Sequence, residues 1–286
     1  MAYAERNNGV IVNADSAQLY RDIPILSAAP SSEDLKRVDH RLYGVLDGAR
    51  PCSAADWAVM ARREIDDIHG SGQLPVLVGG TGLYIRTLLN GIAPIPAIDP
   101  DIREEIRSKS VADNLSHLEQ LDPHAAGRLN PGDTTRIARA LEVVRSTGKP
   151  LAEWHERREG GISDEIDLRP IILLPPRDWL YRRCDERFET MIEDGAPGEV
   201  SALLSRNLSP DLPVMRAIGV PEVADYVRGS TSRDEAIAAG RQATRRYAKR
   251  QYTWFSHQPP SDWPRFPDAL ENAAISSALA LIEAKD

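Results

Sequence analysis

The chain contains few residues of the kinds on which disulfide and zinc sites depend. Its 286 residues include only two cysteines, Cys52 and Cys184, which lie far apart and in no C-x-x-C pattern. That spacing excludes a zinc finger and a disulfide framework. The six histidines show no metal-ligand spacing either. We therefore expect two reduced thiols in an intracellular protein.

Long apolar segments are also absent from the sequence. No apolar run approaches the length that is needed to span a bilayer. The first residues, MAYAERNNG, carry charges and lack the apolar core of a secretory signal. We expect a soluble, cytoplasmic protein with no membrane partner.

Positive charge is in the minority, with 35 Lys and Arg residues against 43 Asp and Glu residues and a net charge of −8. The overall charge does not indicate a nucleic-acid binder, so any RNA site must be a local basic patch. The strongest such patch is RQATRRYAKR at 241–250, in which Arg241, Arg245 and Lys249 share one helical face. It indicates either an anionic partner, such as a phosphate group, or a surface helix that faces acidic neighbours.

The first ninety residues have the pattern of a parallel α/β layer. The β-branched run Gly9–Ala14 predicts a buried strand, and a capping box at Ser53–Asp56 opens a helix that continues to about residue 69. The apolar run Pro75–Val78 predicts a second strand, which leads into Gly79–Gly82 and another apolar helix. Strand, helix, strand, loop and helix in this order predict a doubly wound parallel sheet.

A charged, helical segment without a convincing strand interrupts this pattern. The apolar run at 170–174 then predicts a return to the sheet. We therefore predict an α/β core domain formed by residues 1–98 and 168–286. Residues 99–167 are predicted to form an all-helical insertion domain between the two parts.

Two loops carry candidate catalytic groups. Asp15 follows the first predicted strand, where it can act as a general base, a metal ligand or a helix cap, and Ser16 and Gln18 add polar groups around it. Gly79–Gly82 reads GGTG, so backbone amides can approach an anion there beside the Thr81 hydroxyl. A tight glycine turn that serves packing alone is the alternative. The loop is not a Walker A loop, because G-x-x-x-x-G-K-[ST] is absent.

In the predicted insertion, Arg136 and Arg139 share one face of a helix at 134–146, opposite an apolar face. They can contact an RNA backbone, although a solvated helix face is the more common role of such a pair.

Seven short segments, spread over nearly the whole chain, form a set that appears in the same order in a known family. They are DSAQLY (15–20), PCSAADW (51–57), LPVLVGGTGLYIRTLLNG (74–91), DPDIR (99–103), TRIARALEV (135–143), GKPL (148–151) and TRRYAKRQYTW (244–254). Together they resemble the tRNA dimethylallyltransferase family, and seven ordered segments are far more specific than any one of them.

The resemblance implies both a reaction and a fold. The family transfers a dimethylallyl group from dimethylallyl diphosphate to the exocyclic N6 amine of the tRNA adenosine at position 37, beside the anticodon. It uses Mg²⁺, and its fold resembles P-loop kinases, with a helical insertion that grips the anticodon stem-loop. We accordingly expect tRNA and dimethylallyl diphosphate as partners, Mg²⁺ as cofactor and a monomeric enzyme. A prenyltransferase for free adenine nucleotides, a catalytically impaired tRNA-binding protein and a P-loop-type kinase are the alternatives.

The resemblance also assigns roles to individual residues. Asp15 matches the candidate base, and Thr81 matches a substrate contact whose hydroxyl we expect to bond the leaving oxygen. Arg245 and Lys249 are expected to bind the diphosphate. The positions that match tRNA contacts are Asp15, Ser16, Ala17, Gln18, Leu19, Arg103, Thr135, Arg136, Ile137, Ala138, Arg139 and Arg216. No metal ligand is assigned.

The chain departs from the family pattern at its beginning. The family starts with a strand and a G-P-T-A-S-G-K-[ST]-like loop, whereas this sequence starts with MAYAERNNG. The expected first strand and P-loop are therefore missing from the predicted core. Either the start codon is misassigned, which we favour because the downstream segments are intact, or the chain is complete and its activity is strongly impaired.

Overall fold

The computed structural model of the chain describes residues 1–283. In chain order the elements are α1 (Ala2–Arg6), β1 (Gly9–Asn13), α2 (Ser32–Arg37), β2 (His40–Arg41), α3 (Ala54–Gly70), β3 (Leu74–Val78), α4 (Gly82–Asn90), α5 (Pro100–Ser108), α6 (Val111–Leu121), α7 (Pro123–Arg128), α8 (Thr134–Thr147), α9 (Leu151–Trp154), β4 (Ile172–Leu173), α10 (Arg177–Glu193), α11 (Ala196–Ser205), α12 (Val220–Val227), α13 (Arg233–His257), β5 (Arg265–Phe266) and α14 (Asn272–Glu283). A 3₁₀ turn, Pro213–Arg216, precedes α12.

The chain divides into two compact units. One unit contains Met1–Leu88 together with the described residues from Glu165 onward, and the other contains Leu89–Asp164. The first is called the sheet unit below, and the second the helical unit.

The sheet unit is built on three parallel strands in the order β2-β1-β3. β1 pairs with β3 along its whole length, from Gly9 opposite Leu74 to Asn13 opposite Val78. β1 lies in the centre, and its residues from Val10 to Asn13 are buried. The predicted strands at 9–14 and 75–78 are therefore present and parallel, which confirms that part of the predicted sheet.

α3 begins where the capping box predicts. The Ser53 side chain accepts a hydrogen bond from the Asp56 amide, and the Asp56 carboxylate accepts one from the Ser53 amide. The helix buries Trp57 and, on the same face, Ala61, Ile65 and Ile68. Its first buried side chain reaches the end of β1, because Trp57 Nε1 donates a hydrogen bond to the Asn13 carbonyl over 3.0 Å.

The apolar run at 170–174 does not rejoin this sheet, contrary to the sequence-based expectation. Only Ile172 and Leu173 form a strand, and it pairs in parallel with β5 in a separate two-stranded sheet. An apolar run indicates a buried strand but not its partner, and the two-residue strand β5 gives no periodic signal that would reveal the pairing.

Helices α10 and α13 pack closely in the sheet unit. Gly240 of α13 permits this approach, because a Cβ atom at that position would lie 2.0 Å from the ring of Phe188 on α10. The contact brings the middle of the long helix α13 against the residues that line the cavity described below.

The helical unit has its own core, formed by α5 to α8. Ile106, Leu118, Ile137 and Leu141 are fully buried in it. The backbones of Ile92 and Glu159 exchange two hydrogen bonds of 3.0 Å. This bridge ties the proline-rich stretch before α5 into the helical unit, which extends from Leu89 to Asp164.

Among the residues that the structure describes, no helix combines the length and the apolar character that crossing a membrane requires.

Candidate active site

The two candidate loops meet at one edge of the sheet. β1 and β3 are parallel neighbours, so the residues after them leave the sheet side by side. The Ser16 amide donates a hydrogen bond to Thr81 Oγ1 over 3.0 Å, and the Thr81 amide donates one to the Ala14 carbonyl over 3.1 Å. The Thr81 hydroxyl also lies 3.4 Å from Ser16 Oγ. The structure thus brings Asp15, Ser16 and Thr81 together.

The loop at Asp15 is fixed by the buried side chain of Asn13. Its Oδ1 atom accepts a hydrogen bond from the Asp15 amide over 2.7 Å, and its Nδ2 group donates to the carbonyls of Asp15 and Leu42, each over 3.0 Å. One Asp15 carboxylate oxygen accepts a hydrogen bond from the Ala17 amide over 2.9 Å. Asp15 therefore caps a local turn, and since the next helix along the described chain begins only at Ser32, the interpretation as a helix cap is wrong.

Burial raises the pKa of the Asp15 carboxyl group above its ordinary value. The backbone amides of Ala17 and Gln18 and the positive charge of Arg187 act in the opposite direction, but more weakly. A carboxylate whose pKa is raised is a stronger proton acceptor, which is the property that a general base needs.

The glycines of the GGTG loop are required by close packing. A Cβ atom at Gly79 would lie 2.2 Å from the Ala14 carbonyl carbon, and one at Gly82 would lie 2.4 Å from the indole of Trp254. A Cβ atom at Gly80 would collide with the side chain of Gln251, and Gln251 Nε2 donates a hydrogen bond to the Gly80 carbonyl over 3.0 Å. Packing against β1 and α13 accounts for these three glycines, as the alternative interpretation of the loop proposed.

A cavity of about 240 Å³ opens beside Asp15. Much of its wall is apolar and aromatic, including Ile23, Phe188 and Met191. Its polar wall contains the Asp15 carboxylate together with the guanidinium groups of Arg187 and Arg216. A wall with one carboxylate, two cations and a broad apolar part can hold a ligand that is both anionic and hydrophobic.

Two tyrosines of the cavity wall, Tyr247 and Tyr84, lie within electrostatic range of the Asp15 carboxylate. The Tyr247 hydroxyl is hydrogen-bonded with the side chains of Thr81 and Gln251, and burial followed by the Asp15 charge raises its pKa. Tyr84 stacks on Trp57 with 4.7 Å between ring centroids. Burial raises the pKa of Tyr84 as well, so both hydroxyls remain protonated at neutral pH and can donate hydrogen bonds.

Both cysteines of the chain lie on the wall of the same cavity. Burial raises the pKa of the Cys52 thiol, which is hydrogen-bonded with Tyr84, and it raises the pKa of the Cys184 thiol too. These are therefore protonated thiols at neutral pH and poor nucleophiles.

The basic run of α13 does not provide the cavity with its cations. Arg241 forms an ion pair with Glu189, and Arg245 Nε lies 3.3 Å from the Asp185 carboxylate, both on α10. The interpretation as a helix that faces acidic neighbours is therefore correct for these two residues. Lys249 is exposed, and neither it nor Arg245 belongs to the cavity wall. The expected diphosphate role of Arg245 and Lys249 gains no support from their position.

Three of the predicted tRNA contacts have side chains that are buried in cores. Leu19 and Ile137 have no exposed surface, and Ala138 retains 9%. Ile137 and Ala138 belong to the core of the helical unit, so their side chains cannot face an RNA. The family motif marked Ile137 and Ala138 as tRNA contacts by their position in the sequence, whereas the apolar face of α8 directs their side chains into the core.

Other predicted tRNA contacts in the sheet unit have structural partners. Gln18 Nε2 donates hydrogen bonds to the carbonyls of Ser27 and Ala28, over 3.1 and 2.8 Å. Ala17 lies on the cavity wall, and Arg216 lies there too while it forms an ion pair with Asp211.

In the helical unit, Thr135 and Arg136 are exposed in the first turn of α8, and Arg136 Nε lies 3.5 Å from Asp133. Arg103 and Arg139 both approach the carboxylate of Glu142, at 3.9 Å each. These four side chains are at least partly exposed.

Sequence reasoning missed Arg187 and Tyr247. Arg187 lies in a helix of mixed charge that gives no local signal, and only the packing of α10 brings it to Asp15. Tyr247 did carry a signal, because it is the one aromatic residue inside the basic run RQATRRYAKR.

The expected Mg²⁺ does not fit a dedicated site in this part of the molecule. No group of three Asp, Glu, His or Cys side chains among residues 1–283 is placed to hold a metal ion. The cavity offers one carboxylate, on Asp15, and the Ala17 amide already occupies one of its oxygens. Mg²⁺ is usually bound by one or two carboxylates with water and substrate phosphates, so this wall by itself does not form a complete magnesium site.

The fold and the site define an α/β protein whose candidate catalytic groups lie where two parallel strands end. The profile of the IPP transferase family matches residues 18–258, and the chain belongs to that family. The chain is 59% identical over 276 residues to the tRNA dimethylallyltransferase of Novosphingobium aromaticivorans, covering 96% of this chain and 98% of that protein. It is 58% identical to the tRNA dimethylallyltransferase of Sphingopyxis alaskensis, covering 92% of this chain and 86% of that protein.

Two solved structures have the same fold. The full-length tRNA isopentenylpyrophosphate transferase of Bacillus halodurans superposes with a TM-score of 0.67 at 32% identity, covering 99% of this chain and 91% of that one. A eukaryotic dimethylallyltransferase acting on tRNA superposes with a TM-score of 0.74 at 26% identity, covering 88% of this chain and 64% of that one.

Proposed function

We propose that this protein transfers the dimethylallyl group of dimethylallyl diphosphate to the N6 amine of the tRNA adenosine at position 37, next to the anticodon. The names of relatives that are 59% and 58% identical over nearly the whole chain support the reaction. The observation that carries it to particular residues is the hydrogen bond from the Ser16 amide to Thr81 Oγ1, which holds Thr81 against the loop whose residues Asp15 and Ser16 line the cavity.

The acceptor side of the reaction needs a base. The lone pair of the adenine N6 amine is delocalised into the ring, so the amine is a weak nucleophile. Asp15 removes a proton from N6 while the new bond forms between N6 and the allylic carbon. The bond between that carbon and the diphosphate oxygen breaks, and its electron pair leaves with the diphosphate. The adenine must leave its base stack to reach the cavity.

The donor side of the reaction accumulates negative charge. The Thr81 hydroxyl donates a hydrogen bond to the leaving oxygen, and the Tyr247 hydroxyl holds the Thr81 side chain in place. Arg187 is the cation best placed to attract the diphosphate, because it lies on the cavity wall within electrostatic range of Asp15. The apolar part of the wall takes the dimethylallyl group. Mg²⁺ remains the expected cofactor of the family.

The division of the chain into two compact units supports a separate role for each of them. The sheet unit is assigned the chemistry, on a P-loop-kinase-like core that corresponds to the predicted residues 1–98 and 168–286. The helical unit, predicted as residues 99–167, is assigned to grip the anticodon stem-loop through exposed arginines such as Arg103, Arg136 and Arg139. The protein acts as a monomer in the cytoplasm.

A single comparison of acceptors tests this function. The purified chain is incubated with dimethylallyl diphosphate and Mg²⁺, and with either tRNA or AMP, and the nucleosides are analysed by mass spectrometry. We expect the modified nucleoside from tRNA only, and none when position 37 is not adenosine. A preference for AMP would identify an enzyme of free nucleotides instead. Filter binding of tRNA without product would identify an impaired tRNA-binding protein.

A further inference from the structure

Three arginines of the helical unit surround one buried carboxylate. Glu142 of α8 has only 1% of its surface exposed. Arg107 Nε donates a hydrogen bond to Glu142 Oε1 over 2.9 Å. Arg103 Nε and Arg139 Nη1 each lie 3.9 Å from Oε2. The Oε2 atom is buried and has no hydrogen-bond partner.

The charges at this place do not cancel. One carboxylate faces three guanidinium groups, so the cluster keeps an excess of positive charge. Burial and the charges of Arg103 and Arg107 lower the pKa of Arg139, and the Glu142 charge opposes them. The three arginines therefore repel one another, and Glu142 is the group that holds them together. Their side chains keep 47%, 65% and 41% of their surfaces exposed, so each can still meet a ligand.

A second carboxylate of the helical unit, that of Glu105, is partly exposed to solvent, in contrast to the buried carboxylate of Glu142. Glu105 is half-exposed, and it pairs with Lys109 and Arg145. These two cations hold the pKa of Glu105 down to about 2. Here the carboxylate is solvated, whereas at Glu142 the carboxylate is covered and only the cations reach the surface.

We propose that Glu142 is a positioning residue that holds Arg103, Arg107 and Arg139 as one phosphate-binding site for an RNA backbone. Guanidinium groups bind phosphate through planar, paired hydrogen bonds, and their orientation decides how well they do so. The site extends the expected contacts at Arg103 and Arg139 by adding Arg107 and by giving the buried carboxylate a function. It rests on the proposed action on tRNA.

The sign of the effect at position 142 distinguishes positioning from bulk charge. Glu142→Gln keeps an oxygen for Arg107 but removes one negative charge, so general electrostatics alone would make tRNA bind more tightly. If Glu142 positions the arginines, the substitution weakens tRNA binding about tenfold. Glu105→Gln removes the same charge from an exposed carboxylate of the same unit and serves as the matched control, with affinity unchanged or increased. Filter binding across a salt series gives both affinities, and thermal melting shows whether each variant is folded.

Arg107 provides a second test that does not depend on a buried residue. Arg107→Ala should reduce the salt dependence of log K by somewhat less than one unit of slope, as the loss of one phosphate contact requires. Arg107→Lys keeps the charge but loses the paired geometry, and it should recover the slope better than the affinity. If Glu142→Gln does not fold, the two Arg107 variants decide the question.

The outcomes separate this inference from the proposed function. Wild-type protein that fails to bind tRNA overturns both. Wild-type protein that binds and modifies tRNA, while Glu142→Gln binds as tightly or more tightly, overturns the inference and leaves the function intact. An unchanged salt slope in Arg107→Ala likewise removes Arg107 from the site.

Discussion

The Ser16 amide donates its hydrogen bond to the Thr81 side chain, so the loops after two neighbouring strands are joined through the hydroxyl that is proposed to bond the leaving oxygen. Ser16, the residue after Asp15 on one loop, thereby fixes the position of the Thr81 hydroxyl on the other loop. Catalytic groups on separate loops need such a link, because an error of about 1 Å in their relative position can slow a reaction about a hundredfold.

Replacing the proposed base tests its role directly. Asp15→Asn keeps an oxygen that can accept the hydrogen bond from Ala17, so the turn should survive. We expect turnover to fall by about 10²- to 10⁴-fold, the usual contribution of a general base, while tRNA affinity changes by less than about threefold. Single-turnover kinetics and filter binding measure the two quantities. Equal losses in both would show that Asp15 is structural.

The raised pKa of Asp15 predicts the pH dependence of the reaction. The carboxylate must be deprotonated to accept a proton, so turnover falls when the pH drops through its pKa. Because burial raises that pKa, the fall should occur at a higher pH than for an ordinary aspartate. A pH–rate profile of the single turnover shows this limb. A limb at the ordinary aspartate value would contradict the assignment of the base to Asp15.

Arg187 and Arg245 form a matched pair of cations, one on the cavity wall and one outside it. Arg187→Gln removes a charge that lowers the pKa of Asp15, so the acid limb should move to higher pH and the KM for dimethylallyl diphosphate should rise about tenfold. Arg245→Gln removes a charge that Asp185 already compensates, so it should change that KM by less than about twofold.

A larger rise in KM for Arg245→Gln than for Arg187→Gln would restore the role that the sequence assigned to Arg245. The measurement is a substrate titration at saturating tRNA, with thermal melting to confirm that each variant is folded.

The hydroxyl of Tyr247 should act through Thr81. Tyr247→Phe removes the hydrogen bond with the Thr81 side chain and should lower turnover several-fold, with a similar effect for Thr81→Val. If the tyrosine acts by holding the threonine, the double variant loses little more than the Thr81 variant alone. Fully additive losses would show that the two hydroxyls act independently.

The close approach of β1 and the GGTG loop predicts a loss of stability. Gly79→Ala places a methyl group against the backbone of Ala14, 2.2 Å from its carbonyl carbon. We expect the free energy of unfolding to fall by about 2 to 3 kcal/mol, the upper range for overpacking. Gly70→Ala is the control, because nothing lies within 4 Å of its Cβ position, and it should leave the stability unchanged or slightly higher. Urea denaturation measures both, and equal stabilities would disprove the contact.

The parts of the fold that sequence predicts are those with local signals. The capping box at Ser53 and the apolar runs of β1 and β3 specify their elements by themselves, and parallel neighbours place Asp15 near Thr81. The acidic partners of Arg241 and Arg245 could not be predicted, because they lie on α10 and depend on how two helices pack. The partner of β4 escaped prediction for the same reason.

Helical periodicity would have corrected one set of assignments. The sequence places Arg136 and Arg139 on the face of α8 opposite to Ile137, and the structure buries Ile137 completely. A motif matched residue by residue counts all its members as contacts, whereas the period of the helix divides them into an exposed set and a core set.

The two sulfur atoms on the cavity wall give the protein a built-in chemical probe. Since the chain has no other thiols, a maleimide or iodoacetamide adduct can form only at Cys52 or Cys184. Labelling is slow at neutral pH and accelerates as the medium becomes more alkaline, because burial disfavours the reactive thiolates. A molecule that fills the cavity covers the wall on which both sulfurs lie, so it should slow their alkylation, and the change in rate reports on occupancy without a labelled substrate.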